Sequence, residues 1–176
     1  MFTITTRGLD EAIERLNRSP AGLERGIRSA IRRTLRGAKS TASQLVHARY
    51  VKNAGAFVKT LRLKQSGFSG SMTSTGSRTP LKEFIVRPSS RPRKMPPGGV
   101  HATVVRGQGG QILHAFLQRS GSVVERVGRS RFPIRLLTSV SPPGAFGNPN
   151  VGPKIEANIY ERLGVNLNHE LAYFLG

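Results

Sequence analysis

Apolar residues recur at helical spacing toward both ends of the chain and in short alternations between them. Leu9, Ile13 and Leu16 fall at i, i+4 and i+7 with Ala12 beside them, which predicts a short amphipathic helix opening near Gly8. Ser19-Pro20 reads as an N-cap followed by the first residue of a new helix. Leu23, Ile27, Ile31, Leu35, Ala38, Ala42 and Leu45 then hold the helical period to about Tyr50. After Gly152-Pro153, the series Ile155, Ile159, Leu163, Leu167, Leu171 and Phe174 predicts a closing helix, with Gly164 costing its middle about 1 kcal/mol relative to alanine.

From 55 to 140 the period changes, and Gly, Ser, Thr and Pro become frequent. Residues 56–63 and 67–73 predict two strands joined by a short turn, and 83–87 a third. Residues 88–99 form a proline-rich basic loop. Residues 100–105 alternate as a strand, and the glycines of 107–110 turn the chain. Residues 112–117 and 122–126 read as a hairpin around Arg119-Ser120-Gly121, and 133–137 as a short edge segment. Residues 142–149 read as a loop. The expectation is one α+β domain over 1–176: helices to residue 50, a small antiparallel sheet over 55–140, and a helix over 153–175 packed on that sheet.

Charge sharpens this picture. Of the 176 residues, 28 are Lys or Arg and nine are Asp or Glu, for a formal net charge of +19. The excess is local: 24 of the cations and only two of the acids, Glu83 and Glu125, lie in 25–155, so that segment nets +22 between two nearly balanced ends. Such a segment repels itself unless anions or an acidic partner surface neutralise it. On the long helix, Arg25, Arg28, Arg32, Arg36 and Lys39 make a stripe spanning roughly 80°, centred roughly 130° from the apolar stripe.

Composition also removes chemistry. Without cysteine there is no disulfide, thiolate zinc site or cysteine nucleophile. Nine acids make a carboxylate-rich metal site a poor reading. No apolar run is long enough to cross a membrane, and Met1-Phe2-Thr3-Ile4 does not begin a signal peptide. His47 and His169 fall on predicted helices and His101 and His114 in predicted strands, none in a nucleophile motif. Glu83 and Glu125 fit internal salt bridges better than an acid/base pair. Gly107-Gln108-Gly109-Gly110 lacks the Gly-Lys-Ser/Thr of a phosphate loop, and a hairpin turn explains it. No reaction, cofactor or metal is expected.

The helix stripe Arg25, Arg28, Arg32, Arg36 and Lys39 is one candidate for an interface, and the sheet region offers two further cation sets: Arg91, Arg93 and Lys94 in the proline-rich loop, and Arg126, Arg129, Arg131 and Arg135 around Gly128. Either set could meet phosphates or the acidic surface of a protein, and composition alone does not choose. Nucleic-acid surfaces usually add aromatic stacking platforms. Phe57, Phe84, Phe116 and Phe132 all read as core, and that leaves such a surface without platforms.

The stretch Thr79-Pro80-Leu81-Lys82-Glu83-Phe84, the basic loop with Gly99-Val100, Ala115-Phe116-Leu117, Val124-Glu125-Arg126 and Gly128-Arg129-Ser130-Arg131-Phe132-Pro133-Ile134 resembles the minor tail protein Z family of long-tailed bacteriophages, the tail-completion proteins. The order of elements is similar over nearly the whole chain, with a shorter stretch after the last helix. The resemblance implies a structural virion protein at the head-proximal end of the tail, assembled in the host cytoplasm. Its partners would be the tail terminator, tail tube and head–tail connector proteins. It would self-associate into a ring, hexameric by tail symmetry, with contact to the genome left open and no membrane involved. Under this reading Pro80 and Pro133 start strands. Leu81, Phe84, Phe116, Phe132 and Ile134 fill the core. Glu125 pairs with Arg126 or Arg129, and Arg129 and Arg131 lead the interface. The alternative is a basic nucleic-acid-binding protein touching the genome in the neck.

Overall fold

The computed structural model describes residues 2–5, 21–51, 54–94 and 96–175. The helix expected over Leu9–Leu16 and the Ser19-Pro20 cap lie outside them. After strand β1 (Phe2–Thr5), the long apolar series is one helix, α1 (Ala21–Arg49), whose Leu23, Ile27, Ile31, Leu35, Ala38, Ala42 and Val46 are all buried. Each large apolar side chain so buried contributes roughly 1.5–3 kcal/mol.

The closing helix, α4 (Gly152–Leu175), runs antiparallel to α1. Thr34 accepts from Asn166 Nδ2 at 2.9 Å, Gly37 lies under the Arg162 side chain, and Arg33 faces Glu170 at 3.6 Å. The bracketing helices and the α+β class are as expected, but α4 packs on α1 rather than on a sheet. The reason is the width of α1's buried surface. Ile31 and Leu35 take the sheet side, while Ala30, Thr34 and Ala38, all nearly inaccessible, extend the buried surface toward α4.

The middle forms three small antiparallel sheets instead of one. It begins with a correction. Part of the predicted strand 56–63 is a short helix, α2 (Ala54–Val58), which buries Phe57 edge-on to Tyr50 with ring centroids 6.2 Å apart. Thr60 Oγ1 sits 2.7 Å from the Phe57 carbonyl and 2.9 Å from Ser74 Oγ, closing that helix onto the first sheet. There β2 (Leu61–Ser66) and β1 flank β3 (Ser69–Ser74). Gly70 lets β3 touch α1, because a Cβ there would lie 2.8 Å from Ile31 Cγ2 and 3.0 Å from Leu35 Cδ1.

A 3₁₀ turn (Leu81–Glu83) leads into the second sheet, β4 (Ile85–Arg87), β5 (Val100–Val105) and β6 (Gln108–Ile112). The glycine patch is therefore mostly strand, with Gly107 (φ 75) alone in the turn. The basic loop 88–99 connects β4 to β5 and must end in glycine: Gly99 has φ 70, and a Cβ would sit 2.3 Å from the Ile112 carbonyl oxygen. The third sheet orders β7 (Ala115–Leu117), β8 (Val123–Arg126) and β9 (Ile134–Leu136), with Pro133 immediately before β9. Pro80 instead forms an isolated bridge with Thr138 and precedes the 3₁₀ turn.

The predicted loop 142–149 opens with a short helix, α3 (Pro142–Phe146), in which Ser141 Oγ accepts from Gly144 N at 3.2 Å. Its Ser141-Pro142 start is the same helix-opening signature as Ser19-Pro20, so the sequence carries the signal for this helix. One apolar cluster joins α1, the first sheet, Phe146, Ile155 and Ile159 to Leu117 and Val123 of the third sheet.

Candidate functional site

The third sheet has two unlike faces, set by strand alternation. Ala115, Leu117 and Val123 point into the core. On the other face Phe116 pairs with Val124, Val124 with Leu136, and Arg126 with Ile134. Phe116 is half-buried, and the Arg126 guanidinium stands 5.6 Å from its ring centroid. Cation–π contact of this kind is worth about 0.5–1 kcal/mol at an exposed site.

The basic loop comes to this same ring. Arg91, Pro92 and Arg93 border a cleft of ≈ 280 Å³ with Phe116 and Arg126. A broader cleft of ≈ 620 Å³ continues past Phe116 and Arg126 to His114, Gly128 and Arg129, with Glu125 as the one carboxylate in its lining. On the hairpin side, Arg91 and Phe116 meet Arg119. The fold thus gathers Arg91 and Arg93 of one candidate set and Arg126 and Arg129 of the other, far apart in sequence, around one aromatic ring.

Other candidates are placed elsewhere. Lys94 is exposed on the loop outside these clefts. Arg131 stacks on its neighbour Phe132, with the guanidinium 5.7 Å from the ring centroid. On α1, Arg25, Arg28, Arg32 and Arg36 are exposed and Lys39 half-buried, on a helix packed chiefly by α4, α2 and the first sheet. Arg28 is partly engaged already, 3.6 Å from Glu24 and 5.5 Å from the Phe68 ring centroid.

Three expectations are corrected here. Phe132 is not core: it is 64% exposed, because it lies in the loop between β8 and β9, where no element covers it. Phe116 is a surface ring shielded by arginines rather than a filler of the core. Leu81 and Phe84 are buried as expected, and Ile134 is half-buried. Glu125 pairs with Arg135, which donates through both Nε and Nη2 to Oε1, and not with Arg126 or Arg129. The β8–β9 register places Glu125 and Arg135 directly opposite on one face, while Arg126 points from the other.

Exposed apolar side chains share this end of the molecule. Val127 (62%) and Leu136 (46%) join Phe132 around the β8–β9 connection, which Val127 N closes onto the Pro133 carbonyl at 3.1 Å. Their exposure was missed because an apolar residue beside a short strand reads as core unless the turn is placed. Arg119 and His114 were missed because only the hairpin pairing brings them to the face.

Among the described residues, no three His, Cys, Asp or Glu come together as a metal site, and no helix is long and apolar enough to cross a membrane. The four histidines are dispersed. His101 lies against Gly109, whose absent Cβ would be 2.5 Å from the ring, and His47 offers its carbonyl to Arg106 Nε at 2.8 Å. His169 is exposed on α4. The chain matches no protein-family model, no curated protein and no solved structure.

Proposed function

We propose that the chain is a structural, non-catalytic assembly subunit of the tail-completion kind, acting at the head-proximal end of a long bacteriophage tail. It binds acidic surfaces of neighbouring tail or connector proteins through the outer face of the third sheet. The observation that carries the reading is the convergence of Arg91, Arg93, Arg126 and Arg129 on Phe116, with exposed Val127, Phe132 and Leu136 at the same end. Cations beside exposed apolar groups are the ingredients of an interface core and its rim. Glu125, the acid on this sheet, is already held by Arg135, so the other arginines call for carboxylates from outside. The phage assignment rests on the motif running from Arg126 to Ile134 and on the order of elements.

The test is charge reversal at Arg129 and Arg131, both exposed. Head–tail joining is expected to fail while the melting temperature of the isolated chain stays within a few degrees of the parent. Normal yields of infectious particles from the double variant would remove this face from the interface.

One observation favours a second reading, a nucleic-acid surface in the neck. Phe132 is 64% exposed beside Arg131 and Phe116 is half-buried beside Arg126, so one accessible ring and one partly covered ring lie among the cations of this face. Binding to single-stranded DNA that weakens steeply with salt and is lost in Phe132→Ala would favour it over the protein partner.

A further inference from the structure

A second cationic site lies away from the third sheet, where the end of α1, the β5–β6 turn and the start of α4 meet. Arg49, Arg106 and Lys154 line a cleft of ≈ 370 Å³ there, together with Gln108 and Asn150 and with no carboxylate among the lining residues. The backbone holds the first two in place. Arg106 N donates to the Arg49 carbonyl at 2.8 Å, and Arg106 Nε to the His47 carbonyl at 2.8 Å. Arg49 Nε is fully buried and has no acceptor, alone in this among the buried side-chain nitrogens and oxygens of the described residues. A buried guanidinium N–H left without an acceptor costs more than about 1–3 kcal/mol, and an anion held close to the Arg49 guanidinium would offset part of that cost through its charge.

From this we infer that the Arg49–Arg106–Lys154 cleft is a binding site for a phosphate group. Three cations from three elements face one small volume. A single carboxylate would leave two of them uncompensated, whereas a phosphate brings up to two negative charges and enough acceptor oxygens for both guanidinium groups and the ammonium. The first turn of α4, from which Lys154 projects, adds the positive end of the dipole of a 24-residue helix, although Gly152 N and Ile155 N are already bonded to the Asn148 and Val151 carbonyls. The ligand's role is to neutralise the junction of the two long helices with the second sheet. The site is independent of the third-sheet interface and stands or falls separately from it.

The experiment is thermal unfolding of the full chain against inorganic phosphate, with sodium chloride at matched ionic strength as reference. The parent, Lys154→Gln, Arg49→Gln and Arg129→Gln are compared. Expected is a saturable rise in melting temperature for the parent, preserved in Arg129→Gln and with an apparent affinity at least tenfold weaker in Lys154→Gln. Lys154 is exposed, so its variant reports on the site even if Arg49→Gln destabilises the fold. A rise that never saturates, or one equal in the parent and Lys154→Gln, overturns the proposal, as does a loss confined to Arg129→Gln. Once the Lys154 dependence is seen, a short single-stranded oligonucleotide separates the sources. Competition with phosphate assigns the group to a nucleic acid backbone, and no competition assigns it to the free ion; both uphold the site.

Discussion

The helical half and the third sheet handle the same composition in opposite ways. Across the α1–α4 contact, polar groups are matched within the molecule, Thr34 with Asn166 and Arg33 with Glu170, and along α4 Arg162 Nε donates to Asn158 Oδ1 at 2.9 Å. Phe57, Phe146, Ile155 and Ile159 are almost wholly inaccessible there. On the third sheet the aromatic rings face outward, arginines lie on them, and Glu125 is the carboxylate that meets the cations. Away from the Arg49 cleft, the helical region satisfies its own needs and so makes the fold. The other leaves valences open, and that is what an interface requires. High charge by itself therefore does not mark the functional surface: the stripe on α1 is as basic as the third sheet but has no clustered apolar partner.

The comparison is broken most directly by truncating one phenylalanine in each region. Phe57→Ala is expected to lose about 3–5 kcal/mol of stability, because it deletes a ring 1% exposed in the core. Phe132→Ala is expected to stay within about 0.5 kcal/mol, as for surface sites generally. Urea unfolding of both measures the contrast, and equal losses would mean that the β8–β9 connection carrying Phe132 is part of the stabilising core.

A smaller effect sharpens the account of the helix pair. Thr34→Val keeps the volume but removes the acceptor of Asn166 Nδ2, so a loss of about 1 kcal/mol is expected in the same assay. Smallest is Glu125→Gln. Its pair with Arg135 lies at the surface, so stability should fall by no more than about 1 kcal/mol and by less still at high salt. A larger loss would show that the third sheet also depends on internal charge pairing.

What the sequence disclosed follows from the range of the interactions concerned. α1 was legible because Leu23, Ile27, Ile31, Leu35, Ala38 and Ala42 repeat locally, and every one of them is buried. The closing helix was legible for the same reason, but not its partner, since the choice between α1 and a sheet depends on residues over a hundred positions away. The division into three sheets was likewise hidden: every pairing except β1 with β3 is local, but the breaks between sheets depend on how α1 and the loop 88–99 are placed. Among site residues, Arg91, Arg93, Arg126 and Arg129 could be named from charge and motif, whereas their meeting at Phe116 could not. Phe132 was misread because hydrophobicity ranks a side chain without saying which side of a turn it will occupy.

The antiparallel pairing of α1 with α4 also has a kinetic side. Thr34 and Asn166 are 132 residues apart, and nearly the whole +22 segment lies between them. Closing so long a loop carries an entropic cost that local contacts must offset first. The hairpin β2–β3 and the second and third sheets, built from strands close in sequence, are suited to form early and shorten that loop. The two helices then act as a clasp that shuts last, and any anion that quiets the repulsion of the middle segment helps it to shut.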